Sequence, residues 1–202
     1  MTVTTAVPEL VLRSLDATWD YARWETLPDD GNRYEVIDGV LYMTTAPSLF
    51  HEWITTRLVR RVGIPFEDTG AGYFFTAPIG VLMPGCAPAQ PDFVLVRQSN
   101  AGIIREGRIR GAPDLIAEIL SRTNPELDTD TKRRTYARGG VPEYWIVRPA
   151  TRDVVVYWEP NPLLADYAQV RHIGPDEELV SPTLGLRVAV AGLFAGAPDT
   201  TL

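Results

Sequence analysis

The chain has 202 residues, of which 45% are hydrophobic and 22% charged, so it is long enough for one domain with a sizeable core. A net charge of -7 argues against a protein that coats nucleic acid non-specifically, because such binding depends on neutralising phosphates. The single cysteine, Cys86, excludes an internal disulfide and a cysteine-rich metal cluster. No apolar run could span a bilayer and no signal-peptide pattern opens the chain, so we expect a cytoplasmic protein without a membrane partner.

The first predicted elements form an edge near the start of the chain. We expect a flexible arm over residues 1–15, a single domain over 16–196 and a tail over 197–202. Larger apolar residues predict a short helix over 16–27, which ends before a proline. The following segment, RYEVIDGVLYMT, predicts two strands joined by Asp38-Gly39, a dipeptide typical of β-hairpin turns.

A second predicted helix, over residues 49–62, carries two candidate site residues. Gly63 and Pro65 are expected to end this helix. His51 falls within its apolar stripe, so it is either a hydrogen-bonded core histidine or a residue at the edge of an active site. Glu52 is a weaker candidate for a carboxylate near a metal ion.

Strands outnumber helices in the rest of the chain, which indicates an α/β (α+β) fold. Asp92 stands at the mouth of a buried strand, a position where an aspartate is often only a turn residue. An arginine-rich loop separates this strand from the next. Strands are predicted at 73–76, 79–83, 93–96, 115–120, 143–147, 154–158, 167–173 and 184–188, a proline-rich loop lies over 83–91, and a terminal helix is predicted at 190–194.

Glu118 is the least expected residue of these strands. It lies inside the apolar run Leu115–Leu120, which is too short for a typical helix and is typical of a strand covered on both faces. Burying an uncompensated carboxylate is costly, so Glu118 must be paired, hydrogen-bonded or bound to a cation. We therefore expect a positive group beside it.

The next predicted helix offers that group. Asp128 or Thr129 can cap a helix that ends at Gly139-Gly140, and Lys132 and Tyr136 lie four residues apart on one face of it. Lys132 is the only lysine among 19 basic residues. An ammonium is a compact, tunable point charge, which suits chemistry better than solubility, although a chance surface lysine is the simpler alternative.

Asp92, Glu118 and Lys132 together are typical of a metal-dependent phosphodiesterase site. Two carboxylates on neighbouring strands can hold Mg²⁺, which lowers the pKa of a bound water and binds phosphate oxygens. A nearby ammonium can orient or deprotonate that water and stabilise developing negative charge. Two local clusters could contact nucleic acid or could be solvated surface charge: Arg57, Arg60 and Arg61, and Arg105, Arg108 and Arg110.

Several segments resemble the PD-(D/E)XK nuclease superfamily, and specifically the small stand-alone bacterial proteins of the Uma family, labelled restriction endonucleases. The resemblance covers about Thr18 to Trp158 and lies in YEVIDGVLYM, PSLFHEW, the Pro91-Asp92 strand, GAPDLIAEILS and the segment from Asp128 to GVPEYWIV. It implies a restriction-endonuclease-like mixed β-sheet flanked by helices, with an N-terminal β-hairpin. It also implies an endonuclease that hydrolyses phosphodiester bonds of nucleic acid, with DNA as the expected partner, and a homodimer is a further possibility.

The same resemblance assigns roles to residues of this chain. Asp92 and Glu118 correspond to the ligands of Mg²⁺, for which Mn²⁺ can substitute, and Lys132 to the catalytic lysine. His51, Glu52 and Tyr136 are candidate supporting residues. The chain departs from the pattern at two positions: Leu120 stands two residues after the acid, where the superfamily has its lysine, and Arg148 stands where an aspartate is usual.

Two other interpretations are compatible with these residues. The first is a catalytically inactive nuclease-fold module that binds nucleic acid or a protein partner, which the acidic net charge favours. The second is a purely structural buried ion pair between Glu118 and Lys132. Such a pair should lose stability when one partner is removed, whether or not Mg²⁺ is present.

Overall fold

The structure, a computed structural model, describes residues 11–201. Its strands form a seven-stranded sheet, a six-stranded sheet and a separate pair. In chain order the strands are β1 (Val11–Arg13), β2 (Arg33–Ile37), β3 (Val40–Thr44), β4 (Gly72–Thr76), β5 (Val81–Met83), β6 (Cys86–Ala89), β7 (Phe93–Arg97), β8 (Ile104–Arg105), β9 (Arg108–Arg110), β10 (Leu115–Ile119), β11 (Glu143–Arg148), β12 (Asp153–Asn161), β13 (Asp166–Ile173), β14 (Glu178–Val180) and β15 (Arg187–Ala189).

Helices lie between these strands. The bounds in chain order are α1 (Tyr21–Trp24), α2 (Leu49–Leu58), a π-helical turn (Val59–Gly63), α3 (Ile64–Asp68), a 3₁₀ segment (Gln98–Ile103), a second π-helical turn (Leu127–Lys132), α4 (Arg133–Gly139) and α5 (Ala191–Phe194). The predicted mixture of sheets and flanking helices is confirmed. Within residues 11–201, no helix is long and apolar enough to cross a lipid bilayer.

Both sheets are mixed. The seven-stranded sheet has the order β1-β3-β2-β6-β5-β9-β8, with β5 and β9 parallel. The six-stranded sheet has the order β13-β12-β11-β10-β7-β4, and its central strands β10 and β11 run parallel. On its other side β10 pairs antiparallel with β7, which follows Asp92. The two strands predicted to carry the site carboxylates are therefore direct neighbours.

Strand β10 separates two hydrophobic clusters. Leu115, Ala117 and Ile119 pack on one face of the sheet with α2 and α5. Ile116 packs on the other face with the hairpin β2-β3 and with α4. Because side chains alternate along a strand, Glu118 projects on the face of Ile116, toward α4. The predicted strand covered on both faces is confirmed, and its alternation directs the carboxylate to the helix that follows.

The N-terminal region contains more strand than the sequence predicts. The hairpin across Asp38-Gly39 is confirmed, with Ile37 opposite Val40. Within the expected flexible arm over residues 1–15, Val11–Arg13 (β1) pairs antiparallel with the outer edge of β3. Residues 1–10 of that predicted arm lie outside the described part of the chain. The predicted helix over 16–27 is confined to α1, and Asp20 caps its first turn by accepting from the backbone N–H of Arg23.

The second helix does not end at Gly63 and Pro65. It continues through the π-helical turn into α3, and Pro65, near the start of α3, has no backbone N–H to donate to the preceding turn. Gly63 instead permits close packing, since a Cβ there would lie 2.7 Å from Cγ of Phe74. The glycine and proline that predicted a helix end therefore mark a change of helical pitch.

Two predicted loops contain short strands. The proline-rich loop includes β6, and the arginine-rich loop forms the β8-β9 hairpin. Each of these strands is only two to four residues long, which is too short to show an alternating pattern. Their proline and arginine content is instead typical of loops. The helix predicted to begin at Asp128 or Thr129 already has helical conformation at Leu127, so neither residue is its cap. Its predicted end is confirmed, with Gly140 in the left-handed conformation at φ 82°.

Candidate functional site

Glu118, Lys132 and Tyr136 meet in the buried interior. Lys132 Nζ donates to Glu118 Oε1 at 3.0 Å, and the Tyr136 hydroxyl donates to the same oxygen at 2.7 Å. Glu118 and Lys132 are each 1% exposed and Tyr136 is fully buried. The four-residue spacing places the amine and the phenol on one helical face, as predicted, although Lys132 lies in the π-helical turn and Tyr136 in α4. The expected positive group beside Glu118 is confirmed as Lys132.

Two further carboxylates surround the amine. Glu35, on β2, places Oε2 3.0 Å from Lys132 Nζ, and Asp128 places Oδ1 3.5 Å from it. Glu35 is fully buried, and its other oxygen accepts from the backbone N–H of Gln90 at 2.7 Å. Three carboxyl groups therefore enclose Lys132. One comes from the seven-stranded sheet, one from the six-stranded sheet and one from the helical segment that carries Lys132 itself.

Asp92 lies beside this group and is 2% exposed. Its Oδ1 accepts from Arg33 Nη1 at 2.6 Å, and its Oδ2 accepts from the backbone N–H of Ile119 at 2.8 Å. His51 Nε2 lies 3.1 Å from the same Oδ2. The backbone N–H of Asp92 points to Glu118 Oε2 at 3.3 Å, so the two predicted metal ligands lie directly next to each other.

The electrostatic environments of the two acids differ. Burial opposes ionisation of Asp92, but the adjacent His51 and Arg33 outweigh burial and hold the pKa of Asp92 well below its usual range. Burial raises the pKa of Glu118 to about 8, against the opposing effect of Lys132. Asp92 is thus the more strongly ionised member of the pair.

The remaining titratable groups of the cluster follow the same balance. Burial raises the pKa of Asp128 to about 6, again against Lys132. Burial also disfavours the charged form of Lys132, but the three surrounding carboxyl groups hold its pKa well above the ordinary value. Burial and the adjacent Glu118 raise the pKa of Tyr136 far above its ordinary value, so its hydroxyl remains a donor. Lys132 is accordingly a cation at neutral pH.

The predicted supporting residues occupy different places. His51 lies in the first turn of α2, is 7% exposed and contacts Asp92, so its apolar position does place it at this cluster. Glu52 is a rim residue, because its side chain is 59% exposed and its carboxylate lies 3.9 Å from His51 Nδ1. The structure therefore brings together Asp92, Glu118, Lys132, Tyr136 and His51, and leaves Glu52 at the surface.

A cleft connects the cluster to solvent. It has a volume of about 820 Å³, and Arg33, His51 and Asp92 line its inner end. A separate cavity of about 10 Å³ lies deeper and is lined by Asp92, Asp128 and Lys132 among others. A space of that size accommodates about one water molecule. Asp92 borders both spaces, so among the buried acids Asp92, Glu118, Glu35 and Asp128 it is the one that faces the cleft.

The carboxyl groups of the cluster outnumber its permanent cations. Four carboxyl groups, those of Asp92, Glu118, Glu35 and Asp128, surround the two permanent cations Arg33 and Lys132. Burial is the main cause of the raised pKa values of Glu118 and Asp128, and the neighbouring acids raise them further. A hard divalent cation would compensate this excess of acids. Within residues 11–201 no three His, Cys, Asp or Glu side chains already form a metal cage. The residues fit a Mg²⁺ held by two carboxylates and completed by water and substrate, the arrangement common for this ion.

The chain is similar to known proteins in sequence and in fold. A family model described as "Uma2: Putative restriction endonuclease" matches residues 19–191. The chain belongs to this family. A crystal structure described as "a putative nuclease belonging to DUF820 from Anabaena variabilis" has a TM-score of 0.72 at 20% identity, over 88% of this chain and 98% of that chain. That likeness shows a shared fold, and the predicted restriction-endonuclease-like fold is confirmed. No curated protein matches the chain.

Membership in the Uma2 family supports nuclease function in general.

Two acidic residues of the cluster, Glu35 and Asp128, were not predicted from the sequence as site residues. Glu35 shares a strand face with buried Ile37, which is the same signal that identified Glu118. Asp128 lies four residues before Lys132 and so faces it along the helix, whereas the sequence suggested a cap.

The sequence departs from the expected nuclease pattern at Leu120 and Arg148, and the structure shows the surroundings of both residues. Leu120 follows β10, and the amine beside Glu118 comes from the next helical segment instead. Arg148 ends β11 and donates from Nε to Asp153 Oδ1 at 2.6 Å. The arginine is thus compensated by the neighbouring strand and makes no ion pair with the Asp92–Glu118 cluster in the described chain.

Proposed function

We propose that the protein is a Mg²⁺-dependent endonuclease that hydrolyses phosphodiester bonds of nucleic acid, with DNA as the substrate. The observation that carries the proposal is the contact of Asp92, Glu118 and Lys132 in one buried cluster that reaches a surface cleft through Asp92. The family description supports DNA, because it names a restriction endonuclease. Mn²⁺ is expected to replace Mg²⁺.

Each residue has a proposed role. Asp92 and Glu118 would hold the ion, which when bound supplies Lewis acidity to a phosphate oxygen and to a water. Lys132 stabilises negative charge that develops on the phosphoryl group, since its raised pKa keeps it protonated and makes it a poor base. Tyr136 holds Glu118 in place through its hydroxyl, and His51 and Arg33 orient Asp92.

A cleavage assay with matched variants tests this function. Glu118→Gln and Lys132→Ala should each abolish Mg²⁺-dependent cleavage of DNA, while circular dichroism shows that they remain folded. Asp176→Asn is the control, because Asp176 is exposed and does not line the cleft, so cleavage should stay unchanged. Cleavage that persists after chelation, or that survives both substitutions, would reject the proposed site.

Calorimetry tests the metal separately from the chemistry. Wild type should bind Mg²⁺ or Mn²⁺, and Asp92→Asn should weaken that binding by about tenfold or more, as expected when one ligand loses its charge. Unchanged affinity in Asp92→Asn would remove this residue from the metal site.

The inactive binding module is the second candidate. One observation favours it: Glu118 Oε1 is occupied by both Lys132 and Tyr136, so the carboxylate already has partners. An inactive module predicts nucleic-acid binding without metal binding and without cleavage in any of these variants.

A further inference from the structure

Arg108 is a second cationic side chain in the cleft that leads to Asp92. It begins β9 and lines the cleft together with Arg33 and Asp92. Arg33 is compensated by its contact with Asp92 at 2.6 Å. Arg108 differs, because its described contacts include no ion pair with a carboxylate within residues 11–201.

The fold holds Arg108 in a defined place. Its guanidinium lies over the Trp24 ring, 5.4 Å from the centroid, and Trp24 is itself fixed by a 2.8 Å hydrogen bond from its Nε1 to the carbonyl of Tyr34. Nη1 donates to the carbonyl of Gly107 at 2.9 Å. The contact with the Trp24 ring and the hydrogen bond to Gly107 restrict the side chain of Arg108. Other N–H donors of its guanidinium are left unused.

Gly80 makes room for this arrangement. A Cβ at Gly80 would lie 2.7 Å from Cδ and 3.1 Å from Nε of Arg108, so any larger residue would displace the arginine. Nε of Arg108 is buried and has no hydrogen-bond partner within the described residues. Buried donors without partners are unusual, because leaving them unsatisfied is costly. A cation that lies over an aromatic ring, makes no described ion pair and retains an unused donor is suited to an anionic ligand.

The dimensions and charge of the cleft restrict what that ligand can be. A volume of about 820 Å³ lies in the range of small-molecule and cofactor sites, so a few nucleotides are enough to fill it. The rim carries the exposed acids Glu25, Asp29 and Glu52, which disfavour a long run of phosphates. A few nucleotides of one strand fit both restrictions.

We propose that Arg108 binds a phosphate next to the scissile phosphodiester, and that the cleft takes single-stranded or locally unpaired nucleic acid. This inference rests on the proposed nuclease function and specifies its substrate. Phosphate is the anion that a guanidinium binds with two parallel donors, and one such contact fixes the register of the strand without reading its bases.

Fluorescence anisotropy with labelled oligonucleotides tests the inference. Metal is removed with a chelator, so that no strand is cut, and oligothymidylate, oligouridylate and a duplex of the same length are compared over a range of salt concentrations. Wild type should bind a single strand more tightly than the duplex. Arg108→Ala should weaken single-strand binding about tenfold, the effect expected for losing a charged hydrogen-bond donor. It should also reduce the slope of log K against log salt by about 0.7, the value for one phosphate contact on a single strand.

Two variants make the test specific. Arg105→Ala removes the same charge from the same hairpin, but Arg105 is exposed and does not line the cleft, so binding should stay near wild type. Gly80→Ala retains the arginine and displaces it, so it should weaken binding in the same direction as Arg108→Ala. Comparison of oligothymidylate with oligouridylate shows whether the cleft prefers deoxyribose or ribose, and a preference for either sugar supports the inference.

The inference would be overturned if wild type bound no single strand, if the duplex bound as tightly, or if Arg108→Ala kept the affinity and salt slope of wild type. Its failure can be distinguished from that of the nuclease function. Cleavage that depends on Glu118 with unaltered binding in Arg108→Ala rejects only the phosphate contact. Weakened binding in Arg108→Ala without cleavage under any condition rejects only the nuclease.

Discussion

Lys132 Nζ lies 3.0 Å from Glu118 Oε1, and each of the two residues is 1% exposed. Lys132→Met removes the cation and keeps most of the side-chain volume, so it leaves buried carboxyl groups without compensation. We expect a loss of about 3–5 kcal/mol in the free energy of unfolding at pH 8, and a smaller loss at pH 5, where Glu118 is protonated. Urea unfolding measures both values.

Arg134→Met is the matched control for that substitution, because the Arg134 side chain is 55% exposed and should change stability by no more than about 0.5 kcal/mol. Added Mg²⁺ distinguishes a metal site from a purely structural ion pair. A metal site predicts that Mg²⁺ restores part of the stability of Lys132→Met. Equal losses with and without Mg²⁺ favour the structural pair.

The raised pKa of Glu118 makes the stability of the metal-free protein depend on pH. Between its ordinary value of 4.5 and the folded value of about 8, the folded state holds a proton that the unfolded chain has lost. The stabilising contribution is therefore complete below pH 4.5 and is lost as the pH rises through 8. The slope approaches 1 kcal/mol per pH unit in order of magnitude.

Glu118→Gln should remove this slope between about pH 6 and 8. The raised pKa of Asp128 acts at lower pH, between 3.8 and about 6, and the lowered pKa of Asp92 acts only as the pH falls below 3.8. Chemical denaturation in chelator at several pH values gives the two profiles. Parallel profiles for wild type and Glu118→Gln would contradict the raised pKa.

Tyr136→Phe tests the hydrogen bond that Glu118 accepts. The hydroxyl donates to Glu118 Oε1 at 2.7 Å and favours the ionised carboxylate, so its loss should raise the pKa of Glu118 further. The ring remains packed edge-on against Tyr144 at 5.2 Å, so the variant should fold. We expect the acidic limb of the cleavage-rate profile to move to higher pH.

Tyr144→Phe provides the control for this profile. It makes the same chemical change in the same layer, but its hydroxyl donates to the backbone carbonyl of Asp128 at 3.0 Å rather than to Glu118. Its acidic limb should stay where that of wild type lies. A shift of equal size in both variants would show that the effect arises from packing.

Glu143 fastens the C-terminal region to the six-stranded sheet. It is fully buried, and its Oε2 accepts from Ser181 Oγ at 2.7 Å and from Thr183 Oγ1 at 2.5 Å, while Oε1 accepts from Trp145 Nε1 at 2.6 Å. Glu143→Gln places an amide donor against these donors. Urea unfolding should show a loss of about 1–3 kcal/mol, and cleavage per folded molecule should not change. Reduced cleavage by fully folded Glu143→Gln would connect this anchor to the site.

The elements that the sequence predicted well are those with a strong local pattern. Glu118 was identified because a charged residue inside an apolar run requires a partner, and Lys132 because the helical spacing pairs it with Tyr136. The turn at Asp38-Gly39 and the helix end at Gly140 follow from backbone conformations that these residues favour.

The elements that were missed depend on contacts between distant segments. Strand β1 is defined by pairing with β3, and the strands in the proline-rich and arginine-rich loops are too short to show a period. Arg33 reaches Asp92 across 59 residues of sequence, and no local pattern indicates that contact. Gly63 and Pro65 show the converse case, because residues that usually end a helix here adjust its pitch.

Lys132 is the chain's single lysine and is buried, so chemical labelling of its amine reports when the cluster opens. An amine-reactive ester should modify Lys132 of the folded protein only slowly, because this side chain is 1% exposed. Modification of Lys132 then requires the helix to move away from the sheets, as in amide hydrogen exchange. The rate of this one modification, followed by mass spectrometry, measures how often the cluster opens, without any engineered probe.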